Sequence, residues 1–145
     1  MSNEVAFCEA LRKIVAGIDC GDRRVLNRFS LTTPRYYALK RISENPGVSL
    51  TTLSALMLID KSCTTRLIRS MEEEGLVRRL RSESDGRIYR LYLSEAGKKL
   101  FQTASAAHDR YAHERFSDLD IDVEALVEDL EEIVRSLERE VKREG

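Results

Sequence analysis

The chain has 145 residues, of which 34% are charged and 42% hydrophobic, and its formal net charge is −1. That length suits one domain with a real core, and the composition excludes a disordered chain. No apolar run approaches the about 20 residues of a membrane-spanning helix, the start lacks a secretory pattern, and three widely spaced cysteines make no disulfide framework, so a reducing cytoplasm is the expected home.

Charge is unevenly spread. Residues 1–108 carry 18 Lys+Arg against 12 Asp+Glu, whereas residues 109–145 carry 6 against 13. An acidic end therefore masks a basic body, as in a nucleic-acid binder with a solvated tail.

In chain order, Phe7, Leu11, Ile14, Ile18, Val25 and Phe29 recur at helical spacing over residues 4–29. Gly17 and Gly21 share a face of that helix and either kink it or admit a neighbour closely. Thr33-Pro34 predicts the next helix start, with Thr33 as the cap and Tyr37, Leu39 and Ile42 inward, ending near Asn45-Pro46-Gly47. Ser49 predicts the cap of a short helix carrying Leu50, Leu53 and Leu56-Met57-Leu58. After a tight turn, Asp60 opens a helix with Leu67, Ile68 and Met71 inward, which Gly75 ends. Two β-prone arms, residues 76–81 and 88–93, flank the polar tip Ser82 to Arg87. Leu76 and Leu80 are expected to face Tyr89, Leu91 and Leu93, with Arg79, Arg81 and Arg90 toward solvent. Ser94 caps a long helix to about Phe116, and a last helix begins near Asp120 or Asp122 with an apolar stripe from Val123 to Val141. The fold class is mostly α with a small antiparallel hairpin (α+β).

Two short helices and a hairpin in this order predict a winged helix-turn-helix, in which the second helix enters a major groove. Thr51 suits a phosphate. Lys61, Ser62, Cys63, Thr65, Arg66 and Arg69 are the non-core positions of the second helix, and the two arginines can donate bidentately to guanine edges. At the wing tip Arg87 suits a narrow minor groove, Gly86 permits the turn, and Asp85 caps the turn or holds an arginine.

With these residues in place the chain resembles the MarR family of transcription regulators. The matching units are Leu50-Thr51, Thr65-Arg66-Leu67, Met71 to Val77 (Met-Glu-Glu-Glu-Gly-Leu-Val), Asp85-Gly86-Arg87 and Leu93 to Gly97 (Leu-Ser-Glu-Ala-Gly). It departs where the family often has Gly in the helix-turn-helix turn, here Leu58, and Val inside the reading helix, here Thr64. Leu58 suggests a different turn geometry; Thr64 adds a polar contact or a poorly packed hydroxyl. The resemblance implies one domain in which residues 33–93 form the DNA-binding lobe and residues 1–32 and 94–145 form dimerisation helices. It also implies a homodimer on a pseudo-palindromic operator, with repression relieved by a signal.

That signal is expected to be an oxidant or a small, often aromatic, ligand. Cys8, 26 residues before Pro34, sits where peroxide-sensing members of the family carry a reactive cysteine. Arg12, one turn on, could activate it where those members use tyrosines. Cys8 and Cys20 lie about 18 Å apart along one helix, too far to bridge. Cys63 falls in the first turn of the reading helix, where oxidation would hinder DNA binding, although a Ser-like role is the simpler reading. Arg12, Tyr36, Tyr37, His108 and Tyr111 are the candidate lining of a ligand pocket. His108 and His113, about 140° apart on a helix, make no metal pair, and neither metal nor cofactor is expected. Absence of a phosphate loop, nucleophile elbow or Ser/His/Asp set argues against an enzyme. The alternatives are a thiol-based peroxide-reactive protein and a winged helix used only for protein contacts, whose groove-facing positions should be apolar or acidic.

Overall fold

The computed structural model describes residues 2–144 and contains six helices and one two-stranded antiparallel sheet among them. The order is α1 (Asn3–Asn27), α2 (Thr33–Glu44), α3 (Leu50–Met57), α4 (Lys61–Glu73), β1 (Val77–Arg81), β2 (Tyr89–Leu93), α5 (Glu95–Phe116) and α6 (Val123–Glu144).

Each helix of the central lobe starts where a hydroxyl or carboxylate can accept an orphan amide. Ser49 accepts from Thr52, Asp60 from Cys63 and Ser94 from Gly97. The start of α2 differs by one residue from expectation: Thr32 is the cap and accepts from Arg35. Thr33 is thereby free to donate its hydroxyl to Asp19 of α1, at 2.9 Å. That bond, with Arg23 as a smaller contributor, holds the Asp19 carboxyl below its usual range.

The core lies inside this lobe. Leu39, Ile42, Leu53, Ile68, Met71, Val77 and Leu91 are buried together with Leu26 and Leu31 from the α1 end and Ala104 from α5. Tyr36, not Tyr37, is the fully buried member of that pair; Tyr37 is half-buried and packs edge-on against it, with ring centroids 5.3 Å apart. Burial pushes both phenols above their ordinary value.

The hairpin is one residue shorter at the start of each arm than expected, and its buried face is shifted. The register pairs Val77 with Leu93, Arg79 with Leu91 and Arg81 with Tyr89. Val77, not Leu76 or Leu80, is therefore the buried residue of β1, and Leu80 is 47% exposed. A shift of one residue flips every side chain of a strand, and here Gly75 absorbs the offset by taking a left-handed conformation (φ +75°). Val48 adds a one-residue bridge to Leu91, with Gly47 N–H donating to Leu91 O at 2.8 Å.

Gly17 and Gly21 do not act alike, and α1 runs through both without a break. Nothing lies near Gly17, whereas a side chain at Gly21 would meet Tyr111 and Arg115 of α5. Beside Gly21 sits buried Asp22. Arg115 donates to its carboxylate at 3.2 Å and to the Ile18 carbonyl at 3.2 Å. His108 Nε2 lies 3.3 Å from the same carboxylate. His108 thus stands at the α1–α5 seam, stacked 4.8 Å from Tyr36, and not on a solvated face as the neighbouring Asp109 had suggested.

Candidate nucleic-acid interface

The reading helix begins at Asp60, whose carboxylate accepts from the Ser62 hydroxyl (2.6 Å) and the Cys63 amide (2.7 Å). These bonds hold its pKa down to about 2. Thr64 is fully buried, and its hydroxyl donates to Asp60 O (2.9 Å) while lying 2.9 Å from Ser54 Oγ. The hydroxyl that replaces the family's frequent valine is therefore satisfied, and it ties α3 to α4 inside the reading unit.

Leu58 resolves the other departure. It adopts the left-handed conformation itself, at φ 55° and ψ 38°. The turn thus has the backbone geometry that glycine supplies in the family, and the expected change of turn geometry does not occur. A bulky residue there carries a cost of about 1–2 kcal/mol.

One side of α4 is left bare. Lys61, Ser62, Arg66 and Arg69 are exposed, and Cys63 and Thr65 are half-buried along the same side. Thr51 is exposed at the start of α3. The Thr65 hydroxyl donates back to Lys61 O (2.8 Å), and Arg66 Nη2 approaches Cys63 Sγ at 3.4 Å. The helix thus offers three exposed cations and no exposed acid before Glu73.

Asp85 caps the wing turn by accepting from the Arg87 amide at 3.0 Å; among the described residues it pairs with no arginine side chain. Arg87 is exposed. Gly86 takes no left-handed backbone, so its expected role in permitting the turn is not needed. The stem carries more organisation than sequence reasoning assigned to it. Tyr89 lies beneath Arg79 (4.6 Å from guanidinium carbon to ring centroid) and Arg81 (5.6 Å), and Arg81 Nε donates to its hydroxyl at 3.3 Å. Arg79 also reaches Glu72 of α4 at 3.3 Å, linking the wing stem to the reading helix. The alternating arginines of β1 were the available signal; the tyrosine facing them across the register was not visible without the pairing.

The five pocket candidates do not line one cavity. Arg12 and Tyr37 line a cleft of about 700 Å³ between α1 and α2, with Asp19, Asp22 and Thr33. Tyr36 and His108 are buried behind it, and Tyr111 packs at Gly21 on the α1–α5 seam. Arg115 lies 4.3 Å from the Tyr111 ring and lowers its hydroxyl pKa by hydrogen bonding. Cys8 is exposed on α1. No group of three metal-ligating side chains occurs among the described residues, and no helix among them is long and apolar enough to cross a membrane.

A braced helix, a capped reading helix with a cationic side and an arginine-bearing hairpin define a winged helix-turn-helix DNA-binding protein. Residues 31–89 match the MarR family model. The chain is 29% identical over 135 residues to the HTH-type transcriptional regulator YsmB of Bacillus subtilis (strain 168), covering 93% of this chain and 90% of that one. Its fold is similar to that of the transcriptional regulator BldR from Sulfolobus solfataricus (TM-score 0.85, 26% identity, 94% and 99% of the two chains). The fold also matches the repressor CouR bound to a 23-mer DNA duplex (TM-score 0.79, 23% identity, 86% and 89%). The chain belongs to the MarR family, a family of DNA-binding transcriptional regulators and not of enzymes.

Proposed function

We propose that the protein is a cytoplasmic repressor that binds a pseudo-palindromic operator as a homodimer and leaves it when a signal arrives. The observation that carries the reading is the exposed cationic side of α4 continued by Arg79, Arg81 and Arg87 of the wing. In this reading Thr51, Lys61, Ser62 and Cys63 lie along phosphates, Thr65, Arg66 and Arg69 face base edges, and Arg87 enters the minor groove with Asp85 and Gly86 shaping the tip. Two such heads related by a two-fold axis would sit about 34–36 Å apart, one duplex turn. A winged helix used only for protein contacts fits poorly, because its groove-facing positions here are basic and hydroxylic.

The homodimer is supported by the terminal helices. On α6, Val123, Leu126, Val127, Val134, Leu137 and Val141 are each at least 40% exposed, and on α1 so are Val5, Phe7, Ile14 and Val15. Apolar stripes of that length call for a partner, and a second copy supplies identical stripes. In this division residues 1–32 and 94–145 form the dimer frame around the lobe of residues 33–93.

The signal has two supported forms. The α1–α2 cleft has the size of a small-molecule site and one cation, Arg12, beside the half-buried Tyr37; its walls join frame to lobe, so a bound aromatic acid would bias their relative setting. An oxidant acting at exposed Cys8 is the second, with Arg12 as the group that favours the thiolate.

Selection of genomic fragments by the purified protein, with and without peroxide, tests operator binding and the cysteine together. Enrichment of one inverted repeat, with affinity falling steeply as salt rises, is the expected result; uniform or absent binding would sink the reading. Arg87→Ala should weaken operator binding about tenfold and leave the melting temperature unchanged.

A further inference from the structure

The outer face of the hairpin bears a second cavity. Residues alternate along a strand, so Arg78, Leu80, Arg90 and Tyr92 share the face opposite the buried Val77, Leu91 and Leu93. Leu80 is 47% and Tyr92 37% exposed. Single exposed apolar side chains need no explanation, but these two line a concavity of about 500 Å³ with Ile42 and Pro46 from the end of α2 and Lys98 from the first turns of α5. That volume lies within the about 300–1,000 Å³ of small-molecule sites, which combine apolar walls with few polar groups.

The polar groups here are mainly cationic. Arg78 also lines the cavity and has no acidic partner among the described residues. Its strand neighbour Arg79 is held by Glu72 and stacked on Tyr89, so the two arginines are not equivalent. Lys98 reaches Glu95 at 3.3 Å, but both side chains are well exposed, and such a pair is weak and readily exchanged. An anion on Arg78 and Lys98 would meet one carboxylate against two cations.

We propose that this cavity binds a small amphipathic carboxylate, with the anion on Arg78 and its apolar body between Leu80 and Tyr92. It is separate from the α1–α2 cleft and does not depend on it. Its walls come from α2, the hairpin and α5, so an occupant that prefers one arrangement of the three fixes the wing relative to the lobe.

Benzoate and inorganic phosphate, titrated separately at constant ionic strength into the full chain and followed by amide NMR, test the proposal without DNA. Its failure is therefore distinguishable from failure of operator binding. Benzoate should shift the Leu80, Tyr92 and Lys98 amides saturably, and Arg78→Gln should weaken binding about tenfold. Leu80→Ser should weaken benzoate and not phosphate, and Arg12→Gln should change neither. The proposal is overturned if the shifts do not saturate, if phosphate moves the same amides as strongly as benzoate, or if the response centres on Tyr37 and vanishes with Arg12→Gln. It is also overturned if Arg78→Gln lowers DNA affinity while benzoate binding stays intact, which would assign Arg78 to the duplex.

Discussion

The central lobe and the terminal helices are built on opposite terms. Between α2 and the start of α5, helix starts are capped, the one buried threonine is hydrogen-bonded, and the apolar side chains close on each other. On α1 and α6, long apolar rows face outward. The lobe satisfies its own polar groups and buries its own core; the end helices display a surface whose burial must come from elsewhere. A regulator divided this way keeps its reading head rigid while the frame sets where two heads stand, so a signal can act through the frame without remaking the reading surface.

The comparison is broken most severely by charging the frame. Leu137→Glu, or Val134→Glu beside it, should dissociate the expected homodimer, read by sedimentation. The lobe's melting transition should persist, and operator affinity should fall by orders of magnitude as two-headed binding is lost. Retention of a dimer would move the interface away from α6.

Next in size is an assault on the lobe. A Cβ at Gly97 would collide with the Leu76 carbonyl at the junction of wing and α5. Backbone cannot yield there as a flexible side chain does, so Gly97→Ala should destabilise the chain by about 3 kcal/mol in denaturant titration. The same change at Gly17, where nothing is near, should be neutral or slightly stabilising.

Leu58→Gly sharpens the contrast. It relieves a left-handed leucine at the cost of a more flexible unfolded chain, for a net gain of at most about 1 kcal/mol by thermal unfolding. A loss would mean that the leucine side chain, which lines a cavity with Val141 of α6, contributes more than its backbone costs.

The smallest effect is acid fraying of α4. The folded pKa of Asp60 lies at about 2, below its ordinary 3.8, because the Ser62 hydroxyl and Cys63 amide donate to the carboxylate. Its contribution to stability is therefore complete above about pH 4 and is lost as pH falls through 2. Amide exchange at Cys63 should lose protection across that window, and Asp60→Ala should show the same loss at neutral pH.

Much of the lobe was legible from residue types. Ser49, Asp60, Gly75 and Ser94 mark helix boundaries because few side chains can accept an amide proton at a helix start or adopt a positive φ, and each stands where the structure uses it. The reading helix was legible for a related reason: Lys61, Arg66 and Arg69 fall on one side of a 3.6-residue period while Thr64, Ile68 and Met71 fall on the other. The hairpin face was not, since Leu76 and Val77 are equally apolar and only the left-handed Gly75 decides which one turns inward. Nor was the α1–α5 seam. Asp22, His108 and Arg115 are 86 and 93 residues apart from Asp22 in the chain, and nothing local distinguishes a histidine stacked on a buried tyrosine from one in water.

Local chemistry thus determined the order of elements, the caps and the cationic side of α4, because capping, periodicity and charge act within a few residues. Tertiary structure alone decided that Leu58 accepts the strain of a glycine's conformation, that the Thr64 hydroxyl is satisfied, that Tyr89 organises the wing arginines, and that the proposed pocket residues divide between a cleft and a seam. Each of these depends on which distant side chain arrives at a given place, and packing, not local preference, settles that.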